Sequence, residues 1–137
     1  MDDVIDRCEI ISKERMIPAV AQGAIGIQCR LNDKFMLALL ALINDPRTKV
    51  AVDCERSFLA TLDGNCRTPI AAQAIVSADG CHIELMGLIA KADGSDSMMT
   101  TKVGPVQEAI AIGKIAGEEV IKRLGPAKYK EFQESFA

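Results

Sequence analysis

The run Asp63-Gly64-Asn65-Cys66-Arg67-Thr68-Pro69-Ile70 sets a thiol in a glycine-containing stretch directly beside a guanidinium. The thiolate is the reactive form of cysteine, and a neighbouring cation favours it, so Cys66 with Arg67 is the pair best suited to nucleophilic chemistry. The competing reading is an inert, buried small side chain, the usual state of a free cysteine. Cys54 and Cys29 fit that second reading, because each falls in an apolar stretch, while Cys8 and Cys81 are incidental.

Fewer groups can assist than the residue counts imply. His82 is the only histidine and follows Cys81, but adjacent residues on a strand point to opposite faces and cannot form a catalytic dyad. Gln22-Gly23-Ala24 offers backbone donors to an anion, yet it matches neither a dinucleotide fingerprint nor a P-loop, and a plain turn competes. Arg30, Arg56 and Arg67 are candidates to meet carboxylates, and each also reads as a solvated charge. Five cysteines with no C-x-x-C and a single histidine leave neither a disulfide framework nor a zinc site, and favour a reducing compartment. No metal ligand set and no catalytic acid or base is assigned.

The elements that must position these groups are legible from local signals. Leu31-Asn32-Asp33 stops the chain before an apolar helix over Lys34 to Asn44, and Asn44-Asp45-Pro46 supplies a cap and a first-turn proline for a second helix to about Leu62. On it, Ala51, Cys54 with Glu55, Phe58 and Leu62 share one face, and Gly64 ends it. Between Thr68 and Val103, Ala78-Asp79-Gly80 and Ala92-Asp93-Gly94 mark two tight turns and hence three antiparallel strands. The middle strand alternates Ile83, Leu85, Gly87 and Ile89 against a mixed face, so one side of the sheet needs a cover. Gly104-Pro105 opens the covering helix, with a stripe of Val106, Ile110, Gly113, Gly117, Val120 and Leu124 whose glycines would approach the sheet. Gly125-Pro126 breaks it before a short helix to Phe136.

The fold class is therefore α+β, a three-stranded antiparallel sheet with helices packed on one side. Residues 32–137 form that unit. Residues 1–31 do not fit it: Ile17-Pro18-Ala19-Val20 and Ala24-Ile25-Gly26-Ile27 read as a strand of some other sheet.

Size and charge narrow the classes further. At 137 residues the chain would expose about 7,000 Å² when folded against about 21,000 Å² unfolded, enough for one core. A net charge of -3, one Tyr and no Trp disfavour nucleic-acid binding. The longest apolar run, Phe35 to Ile43, is too short to span a membrane, and the acidic first residues resemble neither a secretory signal nor a transit peptide, so a soluble chain is expected.

Two ordered stretches go beyond composition. Pro18-Ala19-Val20-Ala21-Gln22-Gly23-Ala24-Ile25-Gly26-Ile27-Gln28-Cys29-Arg30, then Cys54-Glu55-Arg56-Ser57-Phe58-Leu59 with Asp63-Gly64-Asn65-Cys66-Arg67-Thr68-Pro69-Ile70-Ala71, strongly resemble the porphobilinogen deaminase (hydroxymethylbilane synthase) family, most closely its plant and plastid forms. Two departures stand out: Ala21 replaces a commoner Gly, and Asn65 replaces a small Gly, Ser or Ala.

The resemblance implies a transferase that joins four porphobilinogen molecules into hydroxymethylbilane, releasing ammonia, in haem and chlorophyll synthesis. It implies a dipyrromethane cofactor held by Cys66 through a thioether, a bond that forms without redox change. Gln22, Gly23, Arg30 and Arg67 would be cofactor-binding neighbours. It further implies that this chain is a C-terminal portion. Residues 1–31 would complete an upstream domain, and the catalytic carboxylate and most substrate-binding arginines would lie in upstream domains of the same enzyme, leaving this chain alone inactive. Plastid stroma or cytoplasm would house it. A reading of another class is a small binding or assembly module that self-associates through its exposed N-terminal strand. A thiol redox sensor at Cys66 would need a nearby resolving cysteine, and none is close in sequence.

Overall fold

The computed structural model describes residues 9–65 and 67–135. Cys8, Cys66 and Phe136, all named above, lie outside the described residues. Elements follow in the order α1 (Lys34–Ile43), α2 (Pro46–Thr61), β1 (Ile70–Val76), β2 (His82–Ala90), β3 (Ser97–Pro105), a 3-10 turn (Val106–Glu108) and α3 (Ala109–Glu134).

Local chemistry sets the boundaries. Asp33 caps α1 by accepting the Met36 amide at 3.0 Å, and Asp45 caps α2 by accepting the Thr48 amide at 2.6 Å, with Pro46 opening the first turn. Gly80 and Gly94 take φ of 74° and 72° in the two turns, which lets the strands pair as a meander β1-β2-β3. The register sets Ile70, Ala72, Ala74 and Val76 of β1 opposite Ile89, Gly87, Leu85 and Ile83 of β2, all on the helix side. Phe58 fills the space over Gly87, where a Cβ would come within 2.6 Å of its ring. Cys54, Phe58, Leu62, Ile83, Leu85, Ile89, Val120 and Phe132 are the largest fully buried side chains of the core.

Helix α3 differs from expectation in three ways. Strand β3 continues through Pro105 and the 3-10 turn takes up Val106, so the helix begins later and its inward line is Ala109, Ile112, Gly113, Ala116, Gly117, Val120 and Leu124. Ile110 turns outward, 62% exposed. The glycines serve α2 rather than the sheet: a Cβ on Gly113 would stand 2.2 Å from the Cys54 carbonyl oxygen, and one on Gly117 2.7 Å from the Thr61 side chain. At Gly125 (φ 73°, ψ 162°) the helical path breaks, Pro126 restarts it, and the last turns bring Phe132 into the core and the Tyr129 hydroxyl to the Leu62 carbonyl at 2.9 Å.

Two segments stand apart from this core. The N-terminal segment uses the free edge of β1, with a bridge between Ala19 and Ala71 and the Ala72 amide on the Pro18 carbonyl at 3.1 Å. Its apolar residues thus find a partner in this sheet for one step only, because the chain turns away at Ala21. Helix α1 buries none of its residues, although nine of its ten are apolar.

Candidate functional site

The stretch that carries Cys66 joins α2 to β1, and its flanks are closely specified. Asp63 takes a left-handed φ of 52°, and Gly64 has no room for a side chain, since a Cβ would come within 2.5 Å of Leu59 and 2.7 Å of Ile70. Asn65 and Thr68 are bonded to each other: the Thr68 hydroxyl donates to the Asn65 carbonyl at 2.7 Å, and the Thr68 amide to the same oxygen at 3.2 Å. The Asn65 carboxamide oxygen accepts the Arg67 amide at 2.9 Å, so this departure from a small residue adds a side-chain bond to the turn. Arg67 itself is exposed, free to meet an anion in solvent.

Gln22 and Gly23 sit in a double turn against α2 and β1. The Gln22 amide donates to the Ala19 carbonyl at 3.0 Å, the Ala24 amide to the Ala21 carbonyl at 3.1 Å, and the Gln22 side-chain oxygen accepts the Ala19 amide at 2.9 Å. Ala21 holds φ 59° and Gly23 φ 89°. Most donors of this turn are therefore used within the fold. Arg30 lies elsewhere, at the entrance to α1, its guanidinium solvent-exposed and 3.5 Å from Asp33. The two turns meet the same strand: Ala19 bridges Ala71, five residues beyond Cys66 in the sequence.

Sequence patterning placed Glu55 on the inward face of α2 without a role. The structure supplies one. Its carboxylate, almost wholly buried, accepts the Ala21 amide at 2.7 Å through one oxygen and the Ala74 amide at 2.8 Å through the other. It thereby ties the double turn to α2 and β1 together, on the wall of a cavity of about 340 Å³ that Gln22, Gly23 and Gln73 also line. Burial raises the Glu55 carboxyl above its ordinary value, and the two amide bonds oppose that rise. The signal available beforehand was a charged residue on an apolar stripe.

Of the other described thiols, Cys54 is a poor nucleophile by position. Burial, with the nearby Glu55 charge second, pushes the Cys54 thiol up to about 11, so it stays protonated. Cys29 is half-buried and Cys81 is exposed in the first hairpin turn. Among the described residues no group of three or more His, Cys, Asp or Glu converges to hold a metal ion, and no helix is long and apolar enough to cross a membrane.

Comparison with known proteins decides what this frame is. The model of the porphobilinogen deaminase C-terminal domain matches residues 49–122, more than half of the sequence. The chain belongs to the porphobilinogen deaminase family. It is 48% identical over 118 residues to the chloroplastic porphobilinogen deaminase of Pisum sativum, covering 85% of this chain and 32% of that one. The chloroplastic porphobilinogen deaminase of Oryza sativa subsp. japonica is 46% identical over 126 residues, covering 90% and 35%, and the porphobilinogen deaminase of Nitrobacter winogradskyi is 43% identical over 116, covering 85% and 36%. The chain thus spans about a third of the length of the curated relatives it matches, and the match to the domain model begins within α2, after α1.

Proposed function

We propose that this chain is the cofactor-attachment part of an enzyme that condenses four porphobilinogen molecules into hydroxymethylbilane with release of ammonia, and that Cys66 is the thioether anchor of its dipyrromethane. The observation that carries this reading is the specified frame around Cys66, set in a chain of this family. The residues present fit the group: an anchor thiol position between Asn65 and Arg67, and an exposed guanidinium on Arg67 for the carboxylates of the pyrroles. When bound, the dipyrromethane supplies the pyrrole end on which the product is extended.

This chain's own residues act by holding. Gly64, Asn65 and Thr68 hold the residues that flank the anchor position. Gln22 and Gly23 shape the neighbouring turn, and Glu55 holds it against β1. Arg30 and Arg67 are the cations proposed to meet acetate and propionate groups. The groups that stabilise developing charge on the substrate lie, in this reading, in the two-thirds of the protein that this chain does not span, so the chain alone turns over no substrate.

The same reading divides the chain. Residues 1–31 complete an upstream domain and residues 32–137 form the attachment domain, with α1 as its exposed first helix. The chloroplastic names of the pea and rice relatives support a plastid location. The test is a chimera in which this chain replaces the matching third of the pea protein. Porphobilinogen consumption is expected in the chimera and its loss in Cys66→Ser; unchanged turnover in Cys66→Ser would overturn the assignment.

A further inference from the structure

The last segment of α3, from Pro126 to Glu134, lies past residue 122, where the match to the C-terminal domain model ends. It nonetheless reaches both ends of the stretch that holds Cys66. At the entry, the amides of Asp63 and Gly64 turn back onto the Ala60 and Leu59 carbonyls at 3.1 and 2.9 Å, the pair of bonds that stops a helix on a left-handed residue, here Asp63. The Leu62 carbonyl is met from outside this stop, by the Tyr129 hydroxyl at 2.9 Å. Burial, with the nearby Asp63 charge second, holds that hydroxyl above its ordinary value, so it stays a donor. At the exit, the Pro69 carbonyl accepts the Ala90 amide at 2.9 Å, and the residues after Ala90 lead back to the same terminal segment. Lys91 pairs with Glu131 at 3.3 Å and stands 5.8 Å from the centre of the Phe132 ring, the Ala92 amide donates to the Ser135 hydroxyl at 3.2 Å, and Lys128 pairs with Asp96 at 2.7 Å.

We propose that this terminal segment braces both ends of the anchor stretch, and that Tyr129 is a positioning residue for attachment of the dipyrromethane at Cys66, acting through the Leu62 carbonyl. The proposal deepens the reading above and rests on it. Tyr129 carries the role because the ion pairs of the brace are partly exposed and individually weak, whereas its hydroxyl bonds the backbone that leads directly into Asp63. A non-glycine residue in the left-handed conformation is held there by its surroundings, so one bond of ordinary strength changes how often the helix stop is kept. Attachment joins two porphobilinogen units to the thiol: two C–N bonds break, one C–S and one C–C bond form, and the displaced thiol and pyrrole protons leave with two molecules of ammonia. Its rate therefore depends on how often the thiol is presented in the one arrangement that reacts.

The test uses the pea chimera with Tyr129→Phe, which removes one oxygen and keeps the ring. Beside it runs Ser57→Ala, which removes a hydroxyl–carbonyl bond of the same kind, from Ser57 to Ile110 at 2.8 Å, at the start of α3. The unloaded chimera is mixed with porphobilinogen, and the two-pyrrole mass on the peptide holding Cys66 is followed in time. Addition is expected to be about fivefold slower in Tyr129→Phe and to keep the parental rate in Ser57→Ala, with both variants folded at the assay temperature. In the loaded chimera Tyr129→Phe is expected to lower kcat about fivefold at unchanged KM, because the groups that bind free substrate lie elsewhere in this reading. Loading at the parental rate in Tyr129→Phe, equal slowing in both variants, or a raised KM at full kcat would overturn the inference and leave Cys66 as the anchor. A parent chimera that gains no mass on Cys66 would overturn the anchor and the positioning role together.

Discussion

Glu55 and Ala21 show how single residues hold the site's frame. Replacing Glu55 with Ala strips hydrogen bonds from two amides on different segments, and a loss of about 2–4 kcal/mol in urea unfolding is expected from bonds to a charged acceptor left unmade. Ala21 occupies a left-handed conformation that glycine adopts freely, so Ala21→Gly is expected to stabilise the chain by about 0.5–1 kcal/mol. An equal or lower unfolding midpoint would show that glycine's greater unfolded-state entropy outweighs the strain it relieves. Because burial raises the Glu55 carboxyl, the folded chain binds that proton more tightly than the unfolded chain does. Its contribution to stability therefore grows on acidification from above the folded value toward the ordinary carboxylate value, and declines as pH rises through the folded value. The exposed Asp45, Asp79, Asp93 and Asp96 are shifted down and act in the opposite sense, in a lower window, where acid removes their contribution. Urea midpoints across both windows should show the upper slope in the native sequence and lose it in Glu55→Gln.

The contact between α2 and α3 is the tightest joint between elements. A methyl on Gly113 meets backbone, the Cys54 carbonyl oxygen at 2.2 Å, whereas one on Gly117 meets the Thr61 Cβ and Cγ2 at 2.7 Å, a milder clash of which rotation can relieve only the Cγ2 part. Gly113→Ala is expected to cost about 2–4 kcal/mol in denaturant unfolding and Gly117→Ala about half as much. Equal costs would contradict the assigned contacts. Much of this architecture was legible beforehand where the cause is local. Asp33 and Asp45 cap helices through bonds to amides three residues on, Pro46 opens a first turn with its fixed φ, and Gly80 and Gly94 mark turns by the φ they permit. The facing of α3 was not, because the turn at Val106–Glu108 resets its rotation, and its glycines look the same whether they face a strand or a helix. The Glu55 clamp was hidden for a related reason: its partners, Ala21 and Ala74, lie 34 and 19 residues away.

The molecule as a whole is a small, well-packed body with an apolar arm. The body, from α2 to α3, contains every buried residue of the core, while α1 buries no residue and Ile25, Ile27 and Leu31 before it stay exposed. That division agrees with a match to the C-terminal domain model that starts at residue 49, and with a chain covering about a third of its relatives. The turn proposed to anchor the cofactor lies inside the stretch, residues 49–122, that matches the family's C-terminal domain. The central claim is that Cys66 anchors the dipyrromethane. Its most direct test is the intact and peptide-mapped mass of the pea chimera after incubation with porphobilinogen, run beside Cys66→Ser. The account predicts an added mass of two pyrrole units on the peptide holding Cys66, and none in the variant. The same addition in Cys66→Ser, or its mapping to Cys29, Cys54 or Cys81, would contradict it.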